Sequence, residues 1–334
     1  MKLLSIVSSL SFCLCLFLCQ LQFLPAAAEN ANSATAAAGA SGKPAYENWQ
    51  DHRRNREVPV KFYFPKSGKA PYPVVIFSHG LGGSREAATY LGDYWSQHGY
   101  FCIFLQHAGS DSSVWQSQVM AGRQLIFQRL KSAANAQNLF DRVDDVKFAI
   151  DILEQLNQSD PALKGQLNLK EIAVAGHSFG ALTSLVIAGQ REGDKSFEDK
   201  RVKAAIYLCP PVKTGKSSPE EAYGSIALPG LLLTGTKDVS PIGETTAAER
   251  RIPFDSIKAP HQYIANFDGA DHSVFGGRGF RPPLEADAAT QKMIQELSTK
   301  FLDATLKNDS RAWHWLDSKE ATDYLGRAAV YERR

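Results

Sequence analysis

Ile172-Ala173-Val174-Ala175-Gly176-His177-Ser178-Phe179-Gly180-Ala181-Leu182 is the stretch on which the reading of this chain turns. Residues 172–175 are a short apolar run, as a buried strand requires. Residues 182–188 have helical composition. Between them Gly176, Ser178 and Gly180 fit G-x-S-x-G. A strand that turns into a helix within so few residues brings its flanking positions so close that side chains would collide, hence glycine at both ends. Such a turn lifts the serine hydroxyl clear of the sheet edge, the setting of a nucleophile elbow.

Outward from this turn, apolar runs alternate with helical segments. Strands are expected at 58–64, 74–77, 100–105, 204–208, 231–233 and 262–267, and helices at 86–98, 114–135, from Asp141 as cap, and at 288–306. In the helix after Asp141, Val146, Ala149, Ile150 and Leu153 recur at helical spacing and form one buried face. Arg142, Asp144 and Asp145 read as its solvated face. Trp49 reads as a cover for the sheet edge. This alternation calls for a mostly parallel sheet with helices on both faces. No repeat and no Pro/Ser-rich linker interrupts it. A single domain over residues 46–310 is expected, with 311–334 as a C-terminal extension and only a minimal cap. The segments 110–140 and 240–257 are long enough to shape a pocket rim.

Composition bounds the function. In 334 residues, 37 basic and 35 acidic side chains give a net charge of +2, which implies neither nucleic acid nor an acidic surface as partner. Lys2, the apolar run 3–24 and Ala26-Ala27-Ala28 have the layout of a secretory signal peptide, with cleavage expected after Ala28. A membrane anchor is the alternative, since the run is long enough to span a bilayer. Cleavage predicts a secreted or periplasmic protein without a stable membrane span, preceded by a flexible leader at 29–45. Cys13, Cys15 and Cys19 lie in the signal. Cys102 and Cys209 fall in separate apolar strands and read as buried free thiols. No Cys/His spacing suggests zinc, and neither a metal nor a cofactor is expected.

A serine hydroxyl needs a base, and in an elbow of this kind the acid and then the histidine follow the nucleophile in the chain. His261 begins a strand at the wrong edge, and His314 reads as a packing residue near the end of the chain. His272 follows the 262–267 strand by a few residues, at the carboxyl edge of the sheet. Asp238, just beyond the 231–233 strand, is the expected acid. Asp268 and Asp271 are rivals, but a residue adjacent to the histidine rarely reaches back to its ring, so Asp271 reads as a loop hydrogen-bonder. The oxyanion formed on attack requires two backbone donors. Phe179 N–H, directly after the serine, and Leu81 N–H, in the glycine-rich loop after the 74–77 strand, are the candidates. His79 and His177 read as hydrogen-bonded loop histidines and Asp111 as a turn former. Trp115 is a candidate for the substrate pocket.

Five segments resemble the dienelactone-hydrolase-like branch of the α/β hydrolases, in particular its platelet-activating-factor acetylhydrolase and polyester-hydrolase-like group. They are the run Asp51-His52-Arg53-Arg54-Asn55-Arg56-Glu57-Val58-Pro59-Val60, Ser78-His79-Gly80-Leu81-Gly82, His107-Ala108-Gly109-Ser110-Asp111, Gly176-His177-Ser178-Phe179-Gly180 and Asp271-His272. The resemblance covers about residues 46–305. It implies the α/β-hydrolase fold, a Ser178-Asp238-His272 triad and hydrolysis of short acyl esters, in a small molecule, a lipid or a polyester. A strict dienelactone hydrolase would carry cysteine at position 178, and the second glycine common after the elbow is here Ala181. A serine peptidase, an acyltransferase or a non-catalytic binding protein could share the fold. A peptidase would usually bring a larger screening domain, and a binding protein usually lacks a triad member.

Overall fold

The computed structural model describes residues 44–117, 120, 122–240, 242–279 and 284–334. The expected signal peptide and most of the leader lie outside these residues. Among the described residues no helix is long and apolar enough to cross a membrane.

Nine strands form one sheet: β1 (Ala45–Asp51), β2 (Arg56–Tyr63), β3 (Tyr72–Ser78), β4 (Phe101–Leu105), β5 (Leu167–His177), β6 (Val202–Leu208), β7 (Gly230–Lys237), β8 (Gln262–Asp271) and β9 (Ala329–Arg333). Their spatial order is β1-β2-β4-β3-β5-β6-β7-β8-β9. The six strands from β4 to β8 are mutually parallel. Antiparallel β2 and β1 close one edge, and antiparallel β9 closes the other. The architecture is the expected α/β-hydrolase fold.

The helices that position the site are α1 (Thr89–Gln97), α2 (Arg123–Ala133), α3 (Ala136–Ser159), α4 (Phe179–Ala188) and α5 (Glu285–Lys307), followed by α6 (Ser310–Asp317) and α7 (Lys319–Leu325). They cover both faces. Val74 and Ile76 of β3 join one core with residues of α3 and α4, whereas Val75 and Phe77 join a second with residues of α1 and α5. A strand buried on both faces must be apolar throughout, which is why β3 and β4 read as continuous apolar runs. The chain steps from β3 to β4 on one side and crosses to β5 on the other. The crevice beyond the carboxyl ends of β3 and β5 is therefore the topological switch point, where open α/β sheets bind ligands.

Trp49 lies on edge strand β1 and packs on Phe62 and Phe148, as expected. Cys102 and Cys209 are free and buried; Cys102 lies on β4 as expected, whereas Cys209 lies not in a strand but in the bend directly after β6, with φ 55°, and β3 and β5 stand between β4 and β6.

Several expectations need correction. Helix α3 begins at Ala136, not at Asp141; its cap is Asn135, whose side chain accepts from Asn138 N–H at 2.9 Å. An asparagine cap is worth about 1 kcal/mol, and Asp141 sits one turn inside. The 114–135 segment is broken into a short turn of helix at Ser113–Gln116 and α2. The stretch 311–334 packs onto the domain, because β9 pairs with β8 over Tyr263 to Phe267. Arg142 and Asp145 are not solvated; both are fully buried, and only Asp144 of that trio is exposed. His314 is not a packing residue: its side chain is 74% exposed, 3.5 Å from Glu320.

Candidate active site

Ser178 stands between β5 and α4 with φ 54° and ψ −116°. For a residue with a Cβ this is strained backbone, worth about 1–3 kcal/mol. The surrounding lattice of contacts holds it: Ser178 N–H donates to Leu208 O at 2.8 Å, and Ser178 O accepts from Leu182 N–H at 3.1 Å. The two glycines are required by space. A Cβ on Gly176 would meet the Gly180 carbonyl, and one on Gly180 would meet the carbonyls of Ser78 and His79. The elbow is thus pressed against the end of β3, and Gly180 is the point of closest approach to the loop that carries Leu81.

Asp238 follows β7 and His272 follows β8. Parallel pairing of these strands brings 34 residues of separation down to a hydrogen bond: His272 Nδ1 lies 2.6 Å from Asp238 Oδ1. The second carboxylate oxygen accepts from Thr234 Oγ1 at 2.7 Å and lies 3.2 Å from Arg250 Nε. Burial pushes the Asp238 carboxyl up, but the His272 hydrogen bond, its charge and the nearby Arg250 outweigh this and hold it at about 2. The acid is therefore ionised at neutral pH. With Nδ1–H committed to Asp238, the lone pair of His272 is on Nε2. Ser178 and His272 face the same cavity.

The rivals go elsewhere. Asp271 accepts from the Ser273 and Val274 amides and pairs with Arg278 at 2.6 Å. Asp268 accepts from Thr236 Oγ1 at 3.2 Å. His261 packs at a tilt against Trp313, ring centroids 4.3 Å apart. His177 donates Nε2–H to His272 O at 2.9 Å, so it steadies the backbone of the neighbouring histidine. Burial, with the charge of His272 behind it, drops the His177 ring to about 3, and it stays neutral.

Leu81 and Phe179 border the same cavity. Phe179 N–H opens α4 and has no intrahelical partner, as for any first-turn amide. In the β3 loop, Gly82 N–H donates to Ser110 O at 2.8 Å and Gly83 N–H to Gly80 O at 3.0 Å. Asp111, the expected turn former, accepts from Gln106 Nε2 and Ser113 Oγ at 2.8 and 2.6 Å. The cavity measures about 870 Å³, room for a lipid-sized ester, and both expected rim segments contribute to it. Trp115, Ile126, Leu130 and Ile242 give it apolar walls, and Trp115 Nε1–H is tied to Gly82 O at 2.8 Å.

Two groups escaped sequence reasoning. Arg250 comes from the 240–257 rim, is 1% exposed, and donates to the carbonyls of Cys209 and Pro210 while flanking Asp238. Nothing in its local sequence marks it. The second is a buried polar network behind the β3 loop. His107 bridges Ser78 Oγ and Asp145 Oδ2, both at 3.0 Å, and Asp145 also receives Arg54 and Arg56. Burial pulls His107 down to about 4 and pushes Asp145 up; hydrogen bonds from His107 and Arg56 outweigh the latter and hold Asp145 well below the usual carboxylate range. The signal for Arg142 and Asp145 was periodicity: they fall at i+3 and i+6 from Leu139, on the stripe completed by Val146 and Ala149.

His177, Cys209 and His272 bring a nitrogen, a sulfur and a nitrogen within 4.8 Å of one another. The His272 ring is engaged by Asp238, the His177 ring is tied to a carbonyl, and burial pushes the Cys209 thiol well above its usual range. A protonated thiol is a poor metal ligand, so these groups fit hydrogen bonding better than a cation.

Residues 54–216 match the family model for platelet-activating factor acetylhydrolase, isoform II. The chain is similar to platelet-activating factor acetylhydrolases over this stretch. An acetylhydrolase of this name from Cavia porcellus is 22% identical over 298 residues, covering 80% of this chain and 65% of its own. One from Bos taurus is 28% identical over 162 residues, covering 41% and 34%. A putative phospholipase A2 from Schizosaccharomyces pombe is 27% identical over 163 residues, covering 38% and 37%. The chain thus spans less than two thirds of the length of these relatives. The match to the acetylhydrolase family model takes in the β3 loop and the elbow, and ends before Asp238 and His272.

Proposed function

We propose that this chain is a serine esterase that hydrolyses short-acyl carboxylic esters through Ser178, His272 and Asp238. The observation that carries the reading is the 2.6 Å contact between His272 Nδ1 and a buried Asp238, beside a serine on a strained elbow. His272 Nε2 takes the Ser178 proton as Oγ attacks the ester carbonyl. The carbonyl π electrons move onto oxygen, which takes hydrogen bonds from the Leu81 and Phe179 amides. Collapse of this intermediate expels the alcohol, which leaves with the proton from Nε2. Water then attacks the acyl-serine, gives its proton to Nε2, and the carboxylic acid departs as Ser178 regains its hydrogen. Asp238, ionised throughout, steadies the imidazolium formed in both halves. The apolar cavity and the names of the acetylhydrolase relatives favour a short acyl group carried on a lipid-like alcohol.

Hydrolysis of p-nitrophenyl esters from acetyl to long acyl, with the wild-type chain and Ser178→Ala, tests this. The expected result is a preference for short chains and loss of about 10³-fold or more in kcat for the variant. Wild-type turnover by Ser178→Ala would sink the proposal.

A further inference from the structure

Arg142 of α3 is fully buried, yet its hydrogen bonds go to a carbonyl and two hydroxyls, not to a carboxylate. Burying a guanidinium without a carboxylate partner is unfavourable, and an apolar side chain of similar volume would fill the space with less penalty. Its contacts divide between the two strips of backbone that carry the oxyanion donors. On the β3 loop, Nη2 donates to His79 O, and Nη1 donates at 2.9 Å to Ser110 Oγ in the loop after β4, whose carbonyl accepts from Gly82 N–H of the β3 loop. On the elbow helix, Nε donates to Thr183 Oγ1 at 3.0 Å, and the cation lies 4.8 Å from the Phe179 ring centroid. Thr183 in turn donates to Phe179 O at 3.0 Å, so the guanidinium reaches the first residue of α4 by two routes.

The loop side has a directional consequence. Arg142 holds the His79 carbonyl. The His79 ring then donates Nδ1–H to Gly80 O at 2.6 Å, while its Nε2 accepts from His107 N–H at 3.0 Å. Gly80 O also accepts from Gly83 N–H. In a planar trans peptide the Leu81 N–H points opposite to the Gly80 carbonyl. Two donors that turn the Gly80 carbonyl inward thereby turn the Leu81 amide outward.

We propose that Arg142 is a positioning residue that sets the spacing of the two oxyanion donors by bracing the His79 carbonyl and the Phe179–Thr183 turn with one rigid fork. It acts through Leu81 and Phe179 and does not touch substrate; the inference rests on the esterase reading above. A planar guanidinium serves three acceptors in fixed directions, whereas an ammonium is a point charge that serves them poorly.

The test uses the full chain as wild type, Arg142→Lys, Arg142→Met and Thr183→Val. Kinetics are measured on p-nitrophenyl acetate, and Ki on a trifluoromethyl ketone, which adds the serine oxygen to form an oxyanion, and on the matching methyl ketone, too weak an electrophile to add it to a comparable extent. A donor displaced by a fraction of an ångström lowers kcat about 10- to 100-fold for Arg142→Met. KM is expected to change less than about 3-fold, because the substrate carbonyl is not yet charged. The trifluoromethyl ketone should weaken by the factor lost in kcat/KM, and the methyl ketone should not. Arg142→Lys should fall between wild type and Arg142→Met. Thr183→Val, which removes one acceptor and keeps the arginine, is expected to lose about 3- to 10-fold in kcat and decides the matter should Arg142→Met fail to fold. Retained kcat in every folded variant overturns the inference, as does equal weakening of both ketones. Inactivity of the wild type on all esters overturns the esterase reading and this inference with it, and is recognised from the wild type alone.

Discussion

Three buried neutral histidines make acid the most informative perturbation of this fold. His79 is held well below its usual range by burial and by Arg142. His107 is held at about 4 and His177 at about 3. Above pH 6.5 all three are neutral both folded and unfolded, and their contribution to stability is flat. As pH falls below 6.5, each gains a proton when unfolded but not when folded, so the unfolded state is favoured until the folded value is reached. Each costs about 1.4 kcal/mol per pH unit in that window. From pH 7 to pH 5 the loss is about 2 kcal/mol per histidine, and about 5–6 kcal/mol for the three, against a total of roughly 5–15 kcal/mol for a folded protein. Carboxylates held low, such as Asp238 at about 2, add a loss of the same sign only nearer pH 4 and below. Urea unfolding at pH 7.0, 6.0, 5.5 and 5.0, followed by circular dichroism, reads the effect. His177→Asn should lose about 2 kcal/mol less than wild type over the interval, whatever its stability at pH 7. A wild-type change below about 1 kcal/mol between pH 7 and pH 5, or the same slope in the variant, refutes the reasoning.

Three further variants probe the site. Asp238→Asn can keep an oxygen on Thr234 and Arg250 only by turning its NH2 to His272 Nδ1, which fixes the wrong imidazole tautomer, and kcat should fall about 10³- to 10⁴-fold. Asp271→Asn should stay within a few-fold of wild type and lose about 1 kcal/mol of stability with its cap and ion pair; the reverse ranking, measured on p-nitrophenyl acetate, would exchange the roles assigned to the two acids. Gly180→Ala drives a methyl group into the Ser78 and His79 carbonyls, so it should cost about 3 kcal/mol or more, seen as a lowered melting temperature or as insoluble protein; a variant as stable as wild type would mean that the elbow does not press on β3 as described.

The residues that the structure brings together at the candidate site were legible in the sequence. Gly176, Ser178 and Gly180 lie where a strand becomes a helix, and that local pattern carries both the elbow and its strain. Asp238 and His272 follow from position, because residues just past parallel strands meet at one edge of the sheet. Apolar strands such as β3 announce burial on both faces. Tertiary structure decided what pattern cannot encode. Strand β9 and β1 are edge strands whose residues are ordinary in composition, and only pairing with β8 and β2 makes them strands. Arg142 and Asp145 carry charge, and charge reads as solvent until the partners that neutralise its cost are in place; those partners, His79, Ser110, Thr183, Arg54 and Arg56, lie 32 to 91 residues away. Arg250 is the extreme case, an arginine in a surface insertion that folds back to flank the acid. Local periodicity and turn chemistry therefore determine which residues can do chemistry here, while the long-range pairing of buried polar groups determines how firmly they are held.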